Sequence, residues 1–366
     1  MRCPLTRPGC WRMVEAGACA EEGAVGRVTS MLLALAGGVA ISVQARITGS
    51  LKVQLQDSVL AAAIVFCSGL VLMILVNLTS RRGRSTVARM FRGATTKQFP
   101  FVFLFTGLLG AYAVFGQSVT VDLLGVAVFS VTFVAGQMVA SVVLDTVGWS
   151  PAGKKQLAPL RLVGAVLALA GVVLALAPRL GADSSVTAMS LQTLAVPLLV
   201  VFSGGLLQPA QMVMNGVVQN HVGRPEPLVL TNYLTGTIAL TLFSIPAIAD
   251  GALGRLPTAP ADWWFYTGGL LGSIVVMGGA ILTRTIGALL FTLGIVAGQL
   301  VGALFLDLFW PAPGSVVVWQ TVFGVAVTML ALLLASASGL RAAVDRASAD
   351  SGAAAAGPKR DETNQS

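Results

Sequence analysis

Residues 134–145 read VAGQMVASVVLD and residues 296–307 read VAGQLVGALFLD, so one chain carries nearly the same segment twice. Seven of the twelve positions are identical at a constant offset of 162 residues. The same offset aligns the tetrapeptide GLLG at residues 107–110 with GLLG at residues 269–272. Chance can produce one such match, but an ordered series of matches indicates two copies of one unit.

The correspondence extends through both copies. Earlier in each copy the offset becomes 167 residues, which requires one insertion or deletion of five residues in a loop. The pairs joined by the two offsets include Gly37-Gly38 with Gly204-Gly205, Gln44 with Gln211, Gly49 with Gly216, Gly69 with Gly236, Gly125 with Gly287, and Phe129 with Phe291. We interpret most of the glycines as sites of close contact between helices in a membrane.

The composition is that of an integral membrane protein. Hydrophobic residues make up 55% of the chain, charged residues make up 10%, and the mean hydropathy is +0.84. A soluble domain normally has about a quarter of its residues charged. The apolar residues also form long uninterrupted runs, and a helix needs about 20 such residues to cross the hydrocarbon layer.

The apolar runs predict ten spanning helices. They cover residues 31–47, 58–78, 99–117, 123–144, 159–180, 193–213, 227–249, 263–282, 285–309 and 315–335. The predicted fold class is therefore an all-α integral membrane protein with five helices in each copy. Because five is odd, the second copy must enter the membrane from the opposite side. This predicts two inverted five-helix repeats, an arrangement found in many secondary transporters.

Composition outside the spans sets the predicted domain boundaries. The two copies are assigned to residues 31–180 and 193–335, with a linker at residues 181–192. Residues 1–30 carry both signs of charge without an apolar stretch, so we expect a disordered extension or a start codon assigned too early. Residues 336–366 are charged and rich in alanine, and we expect a disordered cytoplasmic tail.

Basic residues predict the orientation in the cytoplasmic (inner) membrane. Six of them lie in the loop after the second span: Arg81, Arg82, Arg84, Arg89, Arg92 and Lys97. If that loop is cytoplasmic, both termini are cytoplasmic, and 19 of the 23 basic residues lie inside. The division follows the positive-inside rule. We therefore interpret the net charge of +8 as a topology signal and expect no nucleic-acid partner.

The types of reactive residue argue against an enzyme. The chain has one histidine, His221, and four cysteines without metal-ligand or redox spacing. We expect no metal and no cofactor. The sequence offers no paired ionisable residues at membrane depth, which an intramembrane enzyme would need, and no glycine-rich phosphate loop for an ATP-driven pump.

The motifs of the two copies resemble a known family. Each copy has a glycine seven residues before a glutamine, an aromatic residue three before a glycine, then GLLG and the VAGQ segment. This set resembles the YdcZ-like family of the drug/metabolite transporter superfamily over residues 31–335. The resemblance implies a fused two-repeat, EamA-like transporter without naming a substrate. The family typically has asparagine before the glycine that ends the first span. The second copy keeps Asn215, a pocket candidate, but the first has Thr48, which suggests an asymmetric site.

Four glutamines at repeat-related positions are candidates for a substrate pocket: Gln44, Gln137, Gln211 and Gln299. An amide in lipid is costly unless it is hydrogen-bonded, so each should point toward the protein interior. Gln44 and Gln211 either line a pocket or join neighbouring helices, and both interpretations stay open. Gln137 and Gln299 lie among small residues, which favours close helix packing.

Further candidates place a proline or a charge within the spans. Gln208 and Pro209 interrupt the sixth span, because proline leaves one carbonyl without its helical donor. That carbonyl is either a ligand for a polar substrate or part of a simple kink. Arg46 either attracts an anionic substrate or extends toward the interface. Asp145 and Asp307 are repeat partners near span ends. They either titrate as gates or, as we favour, cap helices or pair with basic groups.

The sequence thus predicts a secondary active transporter, in the direction of export, in which residues 31–180 rock against residues 193–335. The alternative is a non-transporting assembly or sensory membrane protein, which would predict an ordered soluble module. The expected partners are the lipid bilayer and a small-molecule substrate. A homodimer is a further hypothesis.

Overall fold

The computed structural model describes residues 12–79, 81–147, 159–180, 191–313, 315 and 317–335, and within them the chain is helical without a strand. The helices are α1 (Arg12–Leu55), α2 (Ser58–Thr79), α3 (Arg81–Thr95), α4 (Gly107–Val147), α5 (Pro159–Leu180), α6 (Leu191–Val222), α7 (Glu226–Phe243), α8 (Ile245–Ala249), α9 (Gly268–Phe309) and α10 (Trp319–Ala335). Short 3₁₀ helices lie at Phe101–Phe105, Ala252–Arg255 and Pro260–Tyr266. Most of the predicted linker, the predicted tail and the side chain of Asp145 fall outside the described residues.

Six stretches of the described chain are long and apolar enough to cross a membrane. They are Val28–Leu55, Ser58–Thr79, Phe101–Leu144, Thr193–Val222, Pro260–Thr283 and Leu290–Phe309. Two shorter apolar helices, Leu162–Pro178 and Trp319–Ala335, accompany them. Phe101–Leu144 has 44 residues, about twice the length that one crossing requires. The chain is therefore an all-α membrane protein of several spans, as the sequence predicted.

Helix α1 begins at Arg12, well before the first predicted span. Residues 12–30 are helical in the structure, whereas the sequence predicted a disordered extension there. The segment is rich in alanine and glutamate, which favour helix even where they provide no apolar face. It can therefore continue the helix of the adjoining span, a possibility that a criterion based on apolar runs does not detect.

Gly125 and Gly287 divide α4 and α9 at repeat-related positions. Gly125 has φ 86° and ψ 169°, and Gly287 has φ 81° and ψ 155°. This region of backbone conformation is open essentially only to glycine, because a Cβ atom would clash there. Each long helix thus consists of two parts, α4a (107–124) and α4b (126–147), and α9a (268–286) and α9b (288–309).

Glycines let a helix of each copy cross a helix of the other at backbone contact. A methyl group on Gly38 of α1 would lie 2.0 Å from the carbonyl oxygen of Ile295 in α9b. At the repeat-related position, a methyl group on Gly205 of α6 would lie 2.2 Å from the carbonyl oxygen of Phe133 in α4b. Helix α1 therefore packs closely on α9b, and α6 packs on α4b in the same way.

The second helices of the two copies, α2 and α7, also cross at repeat-related residues. The ring centroids of Phe66 and Tyr233 are 5.2 Å apart. A methyl group on Gly69 would lie 2.2 Å from the Tyr233 ring, and one on Gly236 would lie 2.3 Å from the Phe66 ring. The two copies thus meet through equivalent surfaces.

Candidate functional site

Gln44 and Gln211 are buried at equivalent places between the two copies, with 7% and 8% of each residue exposed. A methyl group on Gly272 would lie 2.6 Å from Oε1 of Gln44, and one on Gly110 would lie 3.0 Å from Nε2 of Gln211. Each glutamine therefore lies against the last glycine of the GLLG segment of the other copy. The repeated GLLG motif makes room for a repeated amide.

Gln211 belongs to a group of four polar residues, which we name the amide cluster: Thr106, Gln211, Asn215 and Asn232. Nε2 of Gln211 donates to the backbone carbonyl of Thr106 at 3.0 Å. The hydroxyl of Thr106 lies 2.7 Å from Oδ1 of Asn215 and 2.8 Å from Oδ1 of Asn232. Nδ2 of Asn232 lies 3.4 Å from Oδ1 of Asn215. Thr106 comes from the first copy and the amides come from the second, so the cluster bridges the copies.

The amide cluster has more acceptors than hydrogens at its centre. A threonine hydroxyl has one hydrogen. Three oxygens surround that of Thr106, the third being the carbonyl oxygen of Phe103 at 3.2 Å. The hydroxyl serves one of them at a time, so acceptor capacity is left over. Asn215 and Asn232 are also partly exposed. The cluster can therefore accept hydrogen bonds from a solute, and none of its members is ionisable.

The corresponding positions of the other copy carry different chemistry. The counterparts of Thr106, Asn215 and Asn232 are Gly268, Thr48 and Val65. Thr48 donates to the carbonyl oxygen of Gln44 in its own helix at 2.8 Å. The hydroxyl of Tyr233 donates to the carbonyl oxygen of Gly269 at 3.1 Å. The hydroxyl of Thr48 also lies 3.4 Å from Oε1 of Gln117, a residue of its own copy. The side chains of the amide cluster instead bond to each other across the two copies, so the two sides of the structure are chemically unequal.

Gln299 and Gln137 lie at the helix crossings beside the central glutamines. Nε2 of Gln299 is buried without a hydrogen-bond partner among the described residues, and its backbone carbonyl accepts from Ser42 at 2.7 Å. Pro209 replaces Ser42 in the other copy and has no side-chain donor. Pro209, Gln208 and Gln137 are partly exposed. A hydrogen bond that joins α1 to α9b therefore has no counterpart from Pro209 between α6 and α4b.

Arg46 is buried and bonded to the protein itself. Its Nε donates to the carbonyl oxygen of Trp310 at 2.9 Å, and its Nη2 donates to that of Pro311 at 2.8 Å. The guanidinium carbon lies 5.1 Å from the ring centroid of Trp310, and Nη1 contacts the hydroxyl of Ser50. The guanidinium thus joins the end of α1 to the segment that follows α9.

Two further contacts hold the end of α1 against the junction of α4a and α4b. Lys52 forms an ion pair with Asp122. A methyl group on Gly49 would lie 2.7 Å from the side chain of Val121, but nothing lies within 4 Å of one on its counterpart Gly216. Helix α1 packs along α4, whereas the described parts of α6 and α9 make at most marginal contact. Within the described residues, one end of the unit is therefore packed against its neighbour and the equivalent end is not, and we call the second the open face.

Asp307 caps the half-helix α4b. Its carboxylate accepts the backbone N–H of Val126 at 2.9 Å and that of Ala127 at 2.7 Å, and the residue is 4% exposed. These N–H groups begin a helix and have no helical acceptor, so a carboxylate stabilises them. A methyl group on Gly125 would lie 2.6 Å from Oδ2 of Asp307. The kink and the cap thus form one unit.

In the part of the chain that the structure describes, the candidates neither form a metal site nor line the cavity near α2 and α7. Among the described residues, no group of three His, Cys, Asp or Glu could hold a metal ion. A cavity of about 450 Å³ opens near α2 and α7, lined by residues that include Cys67, Thr241 and Tyr266. It contains none of the candidate residues, and its walls are almost wholly apolar. We therefore do not assign a polar solute to it.

Sequence reasoning overlooked Thr106 and did not place Asn232 among the pocket candidates. The signal was present in the repeat alignment, which places Thr106 opposite Gly268 and Asn232 opposite Val65. A polar residue opposite a small or apolar one marks a place where the copies have diverged. Attention to such mismatches, and not only to matches, would have found the cluster.

The fold and the cluster define a class, that of multi-pass helical membrane proteins built from two copies with a polar site between them. The family described as "Putative inner membrane exporter, YdcZ" matches residues 29–174 and again residues 196–334. The chain belongs to this family of the drug/metabolite transporter superfamily, and the resemblance noted in the sequence is confirmed. It is therefore placed among inner membrane exporters. Comparison with curated proteins finds no match.

Proposed function

We propose that the protein is a secondary active exporter that carries a small, neutral, polar solute by alternating access. The supporting observation is that the ends of α1 and α6, which are equivalent in the repeat, pack differently. The end of α1 contacts the α4 junction through Lys52–Asp122 and Gly49–Val121. Among the described residues, the end of α6 makes at most marginal contact with α9. If each copy can adopt the packing that the other now has, the two copies can exchange packings. The exchange would close the face that is open and open the face that is closed.

The moving bodies, in this proposal, each contain one helix from each copy. The glycine crossings of α1 with α9b and of α6 with α4b are alike. The contacts that differ are those of α1 with α4 and of α6 with α9. The pair α1–α9 therefore rocks against the pair α4–α6. This division differs from the one suggested by the sequence, in which whole copies move, because the closest packing runs between copies.

Ten crossings and inverted copies are part of the same proposal. Gly125 and Gly287 interrupt helices that are too long for one crossing. Contacts between helix ends agree with helices that cross the membrane in alternating directions. Lys52 follows the first crossing and Asp122 follows the third, so both would lie on the same side of the membrane, and they form an ion pair. With the arginine-rich segment at residues 81–97 in the cytoplasm, both termini are cytoplasmic. The open face is then cytoplasmic, where an exporter loads its substrate.

The amide cluster is the proposed solute site, with Gln44 as its counterpart across the protein. Neutral amides and a hydroxyl can exchange hydrogen bonds with an uncharged solute at little cost in desolvation, whereas an ion would lack a partner of opposite charge. Gln208, Pro209, Gln137 and Gln299 are secondary candidates beside it.

The charged candidates have other roles in this scheme. Arg46 holds the outer face closed through Trp310 and Pro311. Asp307 stabilises the kink of α4 by accepting the first N–H groups of α4b.

Labelling of single cysteines with a membrane-impermeant maleimide tests alternating access without knowledge of the substrate. In a cysteine-free background, Asn215→Cys should react from the cytoplasmic side, and Thr48→Cys should be protected. The double variant Arg46→Ala/Lys52→Ala removes contacts that close the outer face. It should raise labelling at position 48 from outside and lower labelling at position 215. Arg255→Ala is the matched control, because Arg255 is another outer cation and its hydrogen bond, to the carbonyl oxygen of Leu55, joins α1 to neither α4 nor the segment after α9.

Three results would contradict the proposal. Labelling of both positions from opposite sides in one state would indicate a channel. A rise at position 48 without a fall at position 215 would indicate local loosening. Labelling unchanged by Arg46→Ala/Lys52→Ala would favour a non-transporting assembly or sensory protein. If the labelling supports alternating access, efflux of uncharged metabolites from loaded vesicles would identify the substrate, by comparison between wild type and Asn215→Ala.

A further inference from the structure

Helix α3 is a basic segment that lies across the ends of three other helices. It covers Arg81–Thr95 and contacts α2, α6 and α7. Met90 and Ala94 are buried in a cluster with Val218 and Val222 of α6. The helix is too short and too polar to cross a bilayer. It therefore lies at the membrane surface, across the ends of the bundle helices and not among them.

Contacts at the start and in the middle of α3 fix its position. A methyl group on Gly83 would lie 2.3 Å from the backbone oxygen of Asn77, so α3 turns back directly against the end of α2. Arg84 donates to the carbonyl oxygen of Leu78 at 2.5 Å. Arg89 donates to a backbone carbonyl at the end of α6 at 3.4 Å. The helix is an ordered platform, and its exposed side chains form a defined surface.

That surface carries positive charge that no acidic side chain of the described structure neutralises. The exposed basic side chains are Arg81, Arg84, Arg89, Arg92 and Lys97. Residues 81–105 contain no acidic residue. The nearby Glu226 pairs with Arg224 at 3.3 Å. None of the five forms an ion pair among the described side chains, and the hydrogen bonds of Arg84 and Arg89 go to backbone carbonyls, which leave the positive charges uncompensated.

Apolar side chains are exposed next to the charge. Phe91 is 44% exposed on α3, and Phe101 and Val102, just beyond it, are 55% and 63% exposed. Guanidinium groups beside exposed rings suit the boundary between headgroups and acyl chains, because the rings enter the apolar layer while the charges meet phosphates.

We propose that the α3 surface (residues 81–105) binds the headgroups of anionic phospholipids in the leaflet that it faces. Charge complementarity identifies the headgroup, and the apolar strip identifies a lipid in preference to a soluble phosphate. The proposal does not depend on the solute site. A lipid bound there would lie beside the end of α6, at the open face.

Thermal unfolding of the purified full-length protein in a neutral detergent tests the proposal. Dioleoylphosphatidylglycerol and dioleoylphosphatidylcholine are titrated in parallel, because they differ in headgroup and share their acyl chains. The anionic lipid should raise the unfolding temperature more than the zwitterionic lipid. In Arg81→Gln/Arg92→Gln its concentration for half-maximal effect should rise about fivefold or more. The excess shift should also shrink in about 0.5 M salt.

Matched variants separate charge from folding. Arg81→Lys/Arg92→Lys keeps the charge and should retain the response, and Arg255→Gln removes a cation at the other face and should also retain it. Equal effects of the two lipids on the wild type would overturn the proposal. So would a full response in Arg81→Gln/Arg92→Gln. An equal shift from soluble glycerol phosphate would replace the lipid by a free phosphate and also overturn it.

Discussion

Phe66 and Tyr233 are repeat counterparts, 167 positions apart, and their ring centroids lie 5.2 Å from each other. A residue can contact its own counterpart only beside the axis that relates the two copies. Val131 and Leu293, counterparts at the offset of 162, share one hydrophobic cluster in α4b and α9b. The copies are therefore joined along a common core of equivalent residues, and the differences between them lie farther out, at the helix ends.

The glycine crossings should not tolerate a side chain. Gly38→Ala and Gly205→Ala would each place a methyl group within 2.2 Å of a backbone oxygen, which neither helix can avoid without separating. We expect each to destabilise the protein by about 1–3 kcal/mol, measured by thermal unfolding in detergent. Gly278→Ala, where nothing lies within 4 Å of the added methyl, should be neutral or stabilising. Similar effects at Gly38 and Gly278 would show that the crossings are not closely packed.

The two kink glycines should differ in their sensitivity. Both have φ above 80°, so alanine at either position should cost about 1–3 kcal/mol through backbone strain. At Gly125 the added methyl also meets Asp307 and Ser315, whereas at Gly287 no atom of the described residues lies within 4 Å of it. Unfolding measurements should therefore rank Gly125→Ala below Gly287→Ala in stability.

Removal of the neighbouring carboxylate checks the cause of this difference. In the double variant Gly125→Ala/Asp307→Ala, the clash of the methyl group with Asp307 disappears, and the one with the hydroxyl of Ser315, at 2.8 Å, is left. Its loss of stability should be smaller than the sum of the two single losses. Simple additivity would mean that the clash with Asp307 plays no part.

The internal repeat predicted much of the fold because repeated glycines reflect repeated contacts. Gly38 and Gly205 were paired by sequence, and they make equivalent crossings. Gly125 and Gly287 were paired as well, and they share one backbone conformation. Such positions are readable because a missing side chain is required by backbone geometry, and this requirement is the same in both copies.

The asymmetric features were not readable from the sequence in the same way. The ion pair of Lys52 with Asp122 joins residues that no local pattern connects. Thr106 gains its importance from two asparagines more than 100 residues away. Arg46 suggested a ligand for anions, yet its donors are directed at backbone carbonyls that follow α9. Partner choice depends on how helices pack, which an analysis of spans leaves open.

Replacement of Asp307 distinguishes a cap from a gate. Asparagine keeps one acceptor for the N–H groups of Val126 and Ala127, and alanine keeps none. We therefore expect stability to fall from wild type to Asp307→Asn to Asp307→Ala, with a total loss of about 1–2 kcal/mol by thermal unfolding. Asp250→Asn, at an exposed acid, is the control and should have no effect. A capping role predicts unchanged cysteine labelling at positions 48 and 215 in Asp307→Asn. A shift of labelling from one face to the other at wild-type stability would instead indicate a gate.

A double-mutant cycle should show that the amide cluster is coupled across the two copies. The hydroxyl of Thr106 lies 2.7 Å from Oδ1 of Asn215, so Thr106→Val and Asn215→Ala each remove the same contact. Their combined loss of stability should be smaller than the sum of the single losses by about 0.5–2 kcal/mol, measured by unfolding in detergent. The control cycle pairs Thr48→Val with Asn215→Ala, since the hydrogen-bond partners of Thr48, Gln44 and Gln117, both belong to the first copy and not to the amide cluster. That cycle should be additive. Additivity in both cycles would show that Thr106 and Asn215 do not stabilise each other, and it would leave their polar groups available for a solute.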